Sequence, residues 1–507
     1  MKKFLFLLCV DFSTIAQNIT ITPTAITPLQ GGVQKLSYDD IRAINNPQPG
    51  DQAYDLTYQT MRFYNGSRWV DSQVSSPYKP SIAGFKTSNN VSFSKVQIDT
   101  LGNIYVVGNF TSNITLGNTV LTSAGGVDVF VAKYLPNQTL SWAIRLGGTL
   151  DENFKDLIVD ATNNLLITGT YKGTMVAGAI SRTNADASGL TTDVFLSKIN
   201  ANGTISYLSS IGNSNTDEVS TVAVNNTNQP LILSNFSGTL TAGLASLTSA
   251  GLEDILITRF STIGSVFQFY QTGGAGSDIG LDLLVIPADN SIFITGSFTG
   301  TTTIGGVNYT SAGGTDAFIA KLNPSTNQWL GNVGGGTGDD IGKALATNNT
   351  STIFLTGTFS SSAVFFGFNT NSNGFKDIYI ARFNLTLGNS THILTLGDVA
   401  NDEVSDILFI SPNNLYLSGK YQSFARSIND ASFAQVSSSL KGYVLNVDFL
   451  LNTVKWSQTL QSVSSQTDVF NITEGQNKAI FGVGNTSAEL VLGNKSLFGN
   501  FVLKLEN

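Results

Sequence analysis

The sequence predicts an all-β fold: a seven-bladed β-propeller of four-stranded antiparallel blades, with a ring closed by an N-terminal strand. Two observations support this prediction. A short apolar motif that contains a glycine occurs seven times at a nearly constant spacing. Each copy belongs to a unit with four short runs rich in Val, Ile, Phe and Tyr. A fixed period of this size is typical of repeat architectures, and four strands per unit favour a propeller.

The repeated motif is marked by its glycine, which serine replaces in the third copy. One example is the run Ile292-Phe-Ile-Thr-Gly296-Ser-Phe298. The marker positions are Gly108, Gly169, Ser234, Gly296, Gly357, Gly419 and Gly484, so the steps are 61, 65, 62, 61, 62 and 65 residues. The aromatic residues two positions later are predicted to pack between the sheets: Phe110, Tyr171, Phe236, Phe298, Phe359 and Tyr421.

Three further strands keep step with this motif. The third strand of the unit begins with an aspartate, which is expected to cap the amides of the preceding turn. These residues are Asp128, Asp193, Asp254, Asp316 and Asp377. The fourth strand carries an aromatic residue and ends in glycine, as in the run from Trp142 to Gly147. Helices should be few, because no sustained 3.6-residue period follows the first residues of the chain.

The two ends of the repeat region predict how the ring closes. The last copy stops near Leu505, after its third strand, whereas an additional strand-like run from Pro80 to Lys86 precedes the first copy. We expect this run to complete the seventh blade, because the pairing removes two exposed strand edges. An open parallel β-helix is the alternative fold, although its coils are usually shorter and need caps.

The chain is predicted to have three parts: a signal peptide at residues 1–16, a small N-terminal β module or linker at 17–79, and the propeller at 80–507. The segment Met1–Val10 has a positive start and an apolar core, and Ala16 offers a cleavage site. The protein is therefore expected to be exported, to the periplasm, the cell surface or the medium. No later run is long enough to predict a transmembrane segment.

Composition argues against several classes of partner. There are 27 Lys and Arg against 35 Asp and Glu, which gives a formal net charge of −8. An acidic chain that is only 12% charged lacks the basic surface that nucleic acid requires. Cys9 is the only cysteine and lies in the predicted signal peptide, so no thiolate metal site is expected in the mature chain.

The repeats resemble the SBBP family of β-propeller repeats between about residues 90 and 505. The residues that match its loose pattern best are Gly125-Gly-Val-Asp128, Phe130, Lys133, Trp142, Gly147-Gly148 and Asp151. The resemblance implies an exported or cell-surface propeller and brings no catalytic residues. About 30 residues between positions 18 and 80 are similar to a segment found in surface and secreted proteins of Bacteroidetes-type bacteria.

Candidate site residues are few. His392 is the only histidine, and it occupies the aromatic slot of a fourth strand, where a packing role is expected. A second set of acids precedes the first strands and could form a carboxylate ring near one channel mouth, able to hold Ca²⁺ or a cationic ligand. These acids are Asp151, Asp217, Asp278, Asp339 and Asp402. The alternative for this set is hydrogen bonding to backbone amides, since residues repeated in every blade usually serve the architecture.

The sequence therefore predicts a non-enzymatic, exported binding or scaffolding module at the cell envelope, which captures a carbohydrate or a protein ligand. No catalytic residue and no cofactor is expected, apart from calcium at the carboxylate ring. A polysaccharide-active enzyme, either a glycoside hydrolase or a lyase, is an alternative that needs a non-repeating pair of acids facing the channel. A structural surface-layer component is a third interpretation.

Overall fold

The computed structural model describes residues 34–36, 40–41, 43–55, 60–64, 69–71, 79–84, 90–186, 188–242, 245–388, 390–422, 440–448, 450, 454–460, 466–492 and 495–506. The predicted signal peptide lies outside these residues. The chain forms two compact units, residues 1–72 and 73–507. No helix among the described residues has the length and apolarity that a membrane span requires.

The smaller unit contains one four-stranded sheet. Its strands are Gln34–Leu36, Gln52–Asp55, Thr60–Tyr64 and Trp69–Asp71. The first pair is parallel and the other two pairs are antiparallel. Ile41 and Ala53 are buried at the centre of this unit, and Leu36, Ile44 and Tyr64 pack around them. A core of this size can bury little apolar surface, so it can stabilise only a small module.

The larger unit consists of seven antiparallel sheets, the blades of a β-propeller. In chain order, the strands of blades 1 to 4 are Val91–Ile98, Ile104–Phe110, Asp128–Tyr134, Leu140–Gly148; Glu152–Val159, Leu165–Tyr171, Asp193–Ile199, Ile205–Ile211; Glu218–Val224, Pro230–Phe236, Asp254–Phe260, Val266–Gly274; and Asp278–Val285, Ile292–Phe298, Asp316–Asn323, Gln328–Gly336. The strands of blades 5 and 6 are Ile341–Thr347, Thr352–Phe359, Asp377–Asn384, His392–Leu396; and Asp402–Ile410, Asn414–Tyr421, Lys441–Asp448, Val454–Leu460. Blade 7 contains Thr467–Glu474, Ile480–Leu492, Lys495–Glu506 and Lys79–Gly84, and a short 3₁₀ helix, Gln476–Lys478, connects its first two strands.

The N-terminal strand occupies the fourth position of blade 7. Lys79–Gly84 pairs antiparallel with Lys495–Glu506, so that Gly84 lies opposite Phe501. Blade 7 also packs against blade 1, where Phe481 shares one core cluster with Phe93. This pairing covers an edge strand that would otherwise expose its backbone hydrogen-bonding groups.

The first strand of each blade is the innermost one, because first strands of neighbouring blades contact one another around the whole ring. The core lies between the blades. One cluster joins Tyr105 and Val129 of blade 1 to Phe154 and Ile167 of blade 2. The aromatic residues two positions after the marker are buried, as predicted: Phe110, Tyr171, Phe236, Phe298, Phe359 and Tyr421.

Blades 1 to 5 each carry a short hairpin between the second and third strands, which the prediction of four strands per unit missed. The hairpins are Asn113–Leu116 with Thr119–Thr122, Thr174–Ala177 with Ile180–Thr183, Thr239–Ala242 with Ala245–Thr248, Thr301–Ile304 with Val307–Thr310, and Ser362–Phe365 with Phe368–Asn371. Three of them extend the sheet of the preceding blade to six strands. They therefore cover the outer edges of those sheets.

Strand direction places all these hairpins at one end of the propeller. Antiparallel strands alternate in direction, so the connections from second to third strands share an end with those from each fourth strand to the next blade. We call this end the hairpin face. At the opposite end, the short-turn face, the connections in blade 1 are the five-residue turns 99–103 and 135–139.

Candidate functional site

The marker lies opposite a β-bulge in the first strand of each blade, and it is glycine in every blade except blade 3, where it is Ser234. The register between the first and second strands slips by one residue in all seven blades, for example between Gly280 and Asp282. The bulge brings a first-strand carbonyl against the marker. A Cβ atom at Gly357 would lie 1.8 Å from the carbonyl oxygen of Ile341. A glycine at this place therefore permits the close approach of two backbones.

The residue that follows each bulge belongs to an innermost strand, and we call these seven residues the axial ring. They are Lys95, Asp156, Thr221, Asp282, Ala344, Asp406 and Asn471. Bulges commonly redirect a side chain near a functional site. Unlike the other repeated positions, this one changes chemistry around the ring: one cation, three acids, two uncharged polar residues and one alanine.

The ring carboxylates tie each blade to the next. Asp156 accepts the hydroxyl hydrogen of Thr221 at 2.6 Å and the backbone N–H of Val222 at 2.8 Å. Asp282 accepts the N–H of Leu345 at 2.7 Å. In blade 7 the same role falls to an amide, because the Asn471 side chain accepts the N–H of Val96 in blade 1 at 3.2 Å.

A further bond from the ring joins blades 6 and 7. Asp406 accepts the N–H of Ile472 at 3.0 Å and the side-chain N–H of Asn471 at 2.6 Å. At four of the seven blade junctions, a side chain of the axial ring therefore accepts a backbone N–H group of the next blade. Each of these bonds satisfies a backbone N–H group beside a bulge that has no partner in the neighbouring strand of its own blade.

Lys95 is the one cation of the axial ring. Its ammonium donates to Asp156, and its side chain is 20% exposed while that of Asp156 is 8% exposed. Burial acts to lower the pKa of Lys95, but the carboxylates of Asp156, Asp406 and Asp282 raise it above the ordinary lysine value. Burial, together with the charges of Asp406 and Asp156, raises the pKa of Asp282 to about 7. The ring therefore holds one permanent cation and one carboxyl group that titrates near neutrality.

The predicted carboxylate ring has a different membership in two blades. The acid at the repeat position of Asp278 is Glu152 in blade 2, opposite Tyr171, and Asp340 in blade 5, directly before the pair of Ile341 and Thr358. Asp151 and Asp339 lie one residue earlier and accept backbone N–H groups of Val127 and Thr315, at 3.0 and 3.2 Å.

The acids at the start of the first strands all bind the preceding turn. Asp217, Asp278 and Asp402 each accept the N–H of the residue four positions earlier, at 2.8, 2.7 and 3.3 Å. Glu152 and Asp340 make the same bond, at 2.8 and 2.7 Å. Among the described residues, no three His, Cys, Asp or Glu side chains are arranged to hold a metal ion. A calcium site at these acids remains a prediction.

The third-strand aspartates cap the preceding turns, as predicted. Their side chains accept backbone N–H groups of Ala124, Ala185, Ala250, Ala312 and Asn373 at 2.6 to 3.0 Å. The glycine of the adjacent fourth strand makes room for each carboxyl group. A Cβ atom at Gly147 would lie 2.0 Å from Asp128, and one at Gly335 would lie 2.4 Å from Asp316.

Two buried carboxyl groups face each other where blade 1 meets blade 2. Asp128 and Glu152 are both fully buried, and each has one oxygen without a hydrogen-bond partner. Burial and the neighbouring Asp128 raise the pKa of Glu152 to about 9. This junction therefore holds a carboxyl group that is protonated at neutral pH.

His392 lies in the outermost strand of blade 5, opposite Arg382. The equivalent residue of blade 1 is Trp142, opposite Lys133. The predicted aromatic slot is therefore confirmed. His392 lies in the fourth strand of its blade, whereas the axial-ring residues lie in the first strands.

Comparisons with known proteins show no family for this chain. No protein-family model matches the chain. A stretch of 291 residues, 52% of this chain, is 24% identical to regulatory protein FlaEY of Caulobacter vibrioides, but spans only 29% of that protein. The resemblance to SBBP repeats therefore remains a prediction.

Solved structures resemble the chain in fold alone. A europium-containing methanol dehydrogenase has a TM-score of 0.39 at 8% identity, over 84% of this chain and 93% of that one. The Glu150Gln variant of a Synechocystis apocarotenoid oxygenase has a TM-score of 0.41 at 10% identity, over 86% and 95%. The ectodomain of the parainfluenza virus 5 hemagglutinin-neuraminidase has a TM-score of 0.36 at 9% identity, over 84% and 86%.

Proposed function

We propose that this protein is an exported binding or scaffolding module of the cell envelope, and that it captures a carbohydrate or protein ligand on its hairpin face. The observation that carries the proposal is the difference between the two ends of the propeller. The hairpins of blades 1 to 5 all lie at one end, while the opposite end of blade 1 has five-residue turns. Insertions in repeat proteins commonly map to the binding face.

Export is supported by the sequence alone. The positive start and apolar core of Met1–Val10 are typical of a secretory signal peptide, and the chain resembles SBBP repeats of exported proteins. Expression of the full chain in a Gram-negative host tests this part. We expect export and a mature N-terminus at Gln17, whereas an unprocessed chain retained in the cytoplasm would contradict it.

The binding role is tested by screening the purified protein on a glycan and polysaccharide array, with calcium and again with EDTA. Phe375 and Leu252 are exposed apolar residues in turns of the hairpin face, and Ile263 is equally exposed in a turn of the short-turn face. We expect F375S with L252S to weaken binding and I263S to leave it unchanged. The reverse result would contradict the choice of face. Loss of binding in EDTA would support calcium at the first-strand acids.

A polysaccharide-active enzyme is the second candidate, and the axial ring is the observation that favours it. Asp282 has a pKa near 7 and lies within electrostatic range of Asp156 and Lys95. A carboxyl group whose pKa is raised to near neutrality, among other charged groups, is a typical arrangement for acid–base catalysis. The test is turnover of the array polysaccharides by the wild type and by D282N. Turnover that D282N abolishes would establish the enzyme, and binding without turnover supports the module.

A further inference from the structure

We propose that the hairpin face of blade 2 contains a cleft for an anionic saccharide, with Lys172 pairing with a carboxylate or sulfate group of the sugar. This inference rests on the proposed function, since it names a ligand class for one place on that face. Blade 2 departs from the repeat in two places, and both of them lie beside the same cleft.

The first departure is a longer connection from the hairpin to the third strand. Nine residues separate Thr183 from Asp193 in blade 2. The corresponding connections in blades 1, 3, 4 and 5 all have five residues. The four additional residues account for the 65-residue step between Gly169 and Ser234. Insertions in a regular array are common places for binding sites.

The second departure is a lysine directly after the second strand. Lys172 follows Tyr171, whereas the other blades have small or polar uncharged residues at this position: Thr111, Ser237, Thr299, Ser360, Gln422 and Ser487. Within the described part of the chain, the Lys172 ammonium has no ion-pair or hydrogen-bond partner. A single cation at a position that is otherwise uncharged indicates a local function and not a requirement of the blade.

The inserted connection is held in place by its own contacts. The Asp186 carboxylate accepts backbone N–H groups of Ser188 and Leu190 at 2.9 Å and of Thr191 at 3.1 Å. The hydroxyl and backbone donors of Ser188 and the N–H of Thr191 hold the pKa of Asp186 well below its ordinary range. Leu150 packs beneath the connection, since a Cβ atom at Gly189 would lie 3.2 Å from its side chain.

The two departures meet at a cleft of about 520 Å³, which lies within the range of small-molecule sites of roughly 300–1,000 Å³. Lys172, Asn153 and Thr216 line it, and Leu190 forms an apolar wall that is 77% exposed. Lys155 and Glu218 also line the cleft and are joined by a 3.1 Å ion pair. Two ammonium groups against one carboxylate make the lining locally positive on a chain with a net charge of −8.

This lining suits an acidic sugar. The amide of Asn153 and the hydroxyl of Thr216 can bind sugar hydroxyl groups, and Leu190 offers a surface for the apolar face of a ring. The unpaired Lys172 supplies the charge for an anionic substituent, an interaction that salt should weaken because the site is open to solvent. An acidic peptide offers the same charge without the hydroxyl groups.

The test is calorimetric titration of the full chain with oligogalacturonate, dextran sulfate, neutral dextran and polyglutamate. The variants are K172Q, L190S and the matched control K343Q. Lys343 is an exposed lysine of blade 5 that occupies the repeat position of Lys155, and blade 5 lacks the insertion. We expect one anionic saccharide to bind and K172Q to weaken it at least tenfold. L190S should weaken it several-fold, and K343Q should leave it unchanged.

The outcomes separate this inference from the function on which it rests. Binding to galacturonate but not sulfate assigns a carboxylate ligand, and the reverse assigns a sulfate ester; both support the cleft. Saccharide binding that K172Q and L190S leave unchanged overturns the cleft while the hairpin-face module stands. Equal binding of neutral dextran or of polyglutamate overturns the anionic-saccharide assignment. No binding in this titration or on the array overturns the cleft together with the carbohydrate form of the proposed function.

Discussion

Replacement of Glu152 by glutamine is expected to stabilise the protein at neutral and alkaline pH. One oxygen of Glu152 accepts the N–H of Gly148 at 2.8 Å, and the other has no partner. Asp128, at the same blade junction, also has an unpartnered oxygen. Glutamine keeps the acceptor and adds an N–H donor, so it can satisfy Asp128 without a titrating proton.

The size of the stability gain expected for E152Q follows from the pKa of Glu152, which rises from an ordinary 4.5 to about 9 in the folded protein. Between these values the folded state binds a proton that the unfolded state has released. The free energy of unfolding therefore falls with rising pH, by about 1.4 kcal/mol per unit. At pH 7.5, three units above the ordinary value, Glu152 can lower the free energy of unfolding by at most about 4 kcal/mol. Relaxation of the junction should reduce the measured stability difference between E152Q and the wild type to about 2–4 kcal/mol.

The assay is urea unfolding of the wild type and E152Q at pH 5 and pH 8. At pH 5 the two proteins should differ by less than about 1 kcal/mol, because this pH lies only half a unit above the ordinary pKa of 4.5 and the unfolded state has little to gain by releasing the proton. At pH 8 E152Q should be the more stable. D151N is the control, since Asp151 is the adjacent acid and accepts a backbone N–H from Val127. A difference between wild type and E152Q that is the same at both pH values would refute the reasoning.

Three further perturbations test the architecture. G335A should destabilise the protein by about 1–3 kcal/mol in urea unfolding, because its Cβ would lie 2.4 Å from Asp316. The control G388A, whose Cβ meets nothing within 4 Å, should change the stability by less than about 0.5 kcal/mol. Equal effects of the two variants would contradict the role of Gly335 in making room for Asp316. K95M should cost about 2 kcal/mol in the same assay by leaving buried Asp156 without its cation, whereas a neutral result would mean that the ion pair contributes nothing. A chain that begins at residue 86 should unfold at a lower temperature and aggregate more readily than one that begins at residue 73, because it lacks the strand Lys79–Gly84; identical melting curves would contradict that role.

The architecture could be predicted from the sequence because the propeller repeats its constraints in every blade. The marker glycine and the aromatic residue two positions later each recur in six of the seven blades, the first opposite the bulge and the second in the core between blades. The hairpins were missed because their strands, such as Thr301–Ile304, are only four residues long and rich in threonine. Such segments look like turns when they are examined one copy at a time.

The candidate sites were harder to predict, because they consist of exceptions to the repeat. Asp156, Asp282 and Asp406 are more than 100 residues apart in the chain, and only ring closure brings them to one axis with Lys95. A signal was available, since the residue after each bulge changes from blade to blade while the residue that follows it is always Val, Leu or Ile. Glu152 and Asp340, the neighbours of Asp151 and Asp339, were missed for a similar reason, because the strand register, and not the spacing from the glycine, decides which acid binds the preceding turn.

Amide hydrogen exchange with and without the anionic saccharide that binds in the titration, oligogalacturonate or dextran sulfate, tests the central claim most directly, since it locates the ligand on one end of the propeller. The account predicts slower exchange at Lys172 and at residues 188–192 of the hairpin face, with no change in the turns 99–103 and 135–139. Slower exchange confined to those turns would place the ligand on the short-turn face and contradict the account.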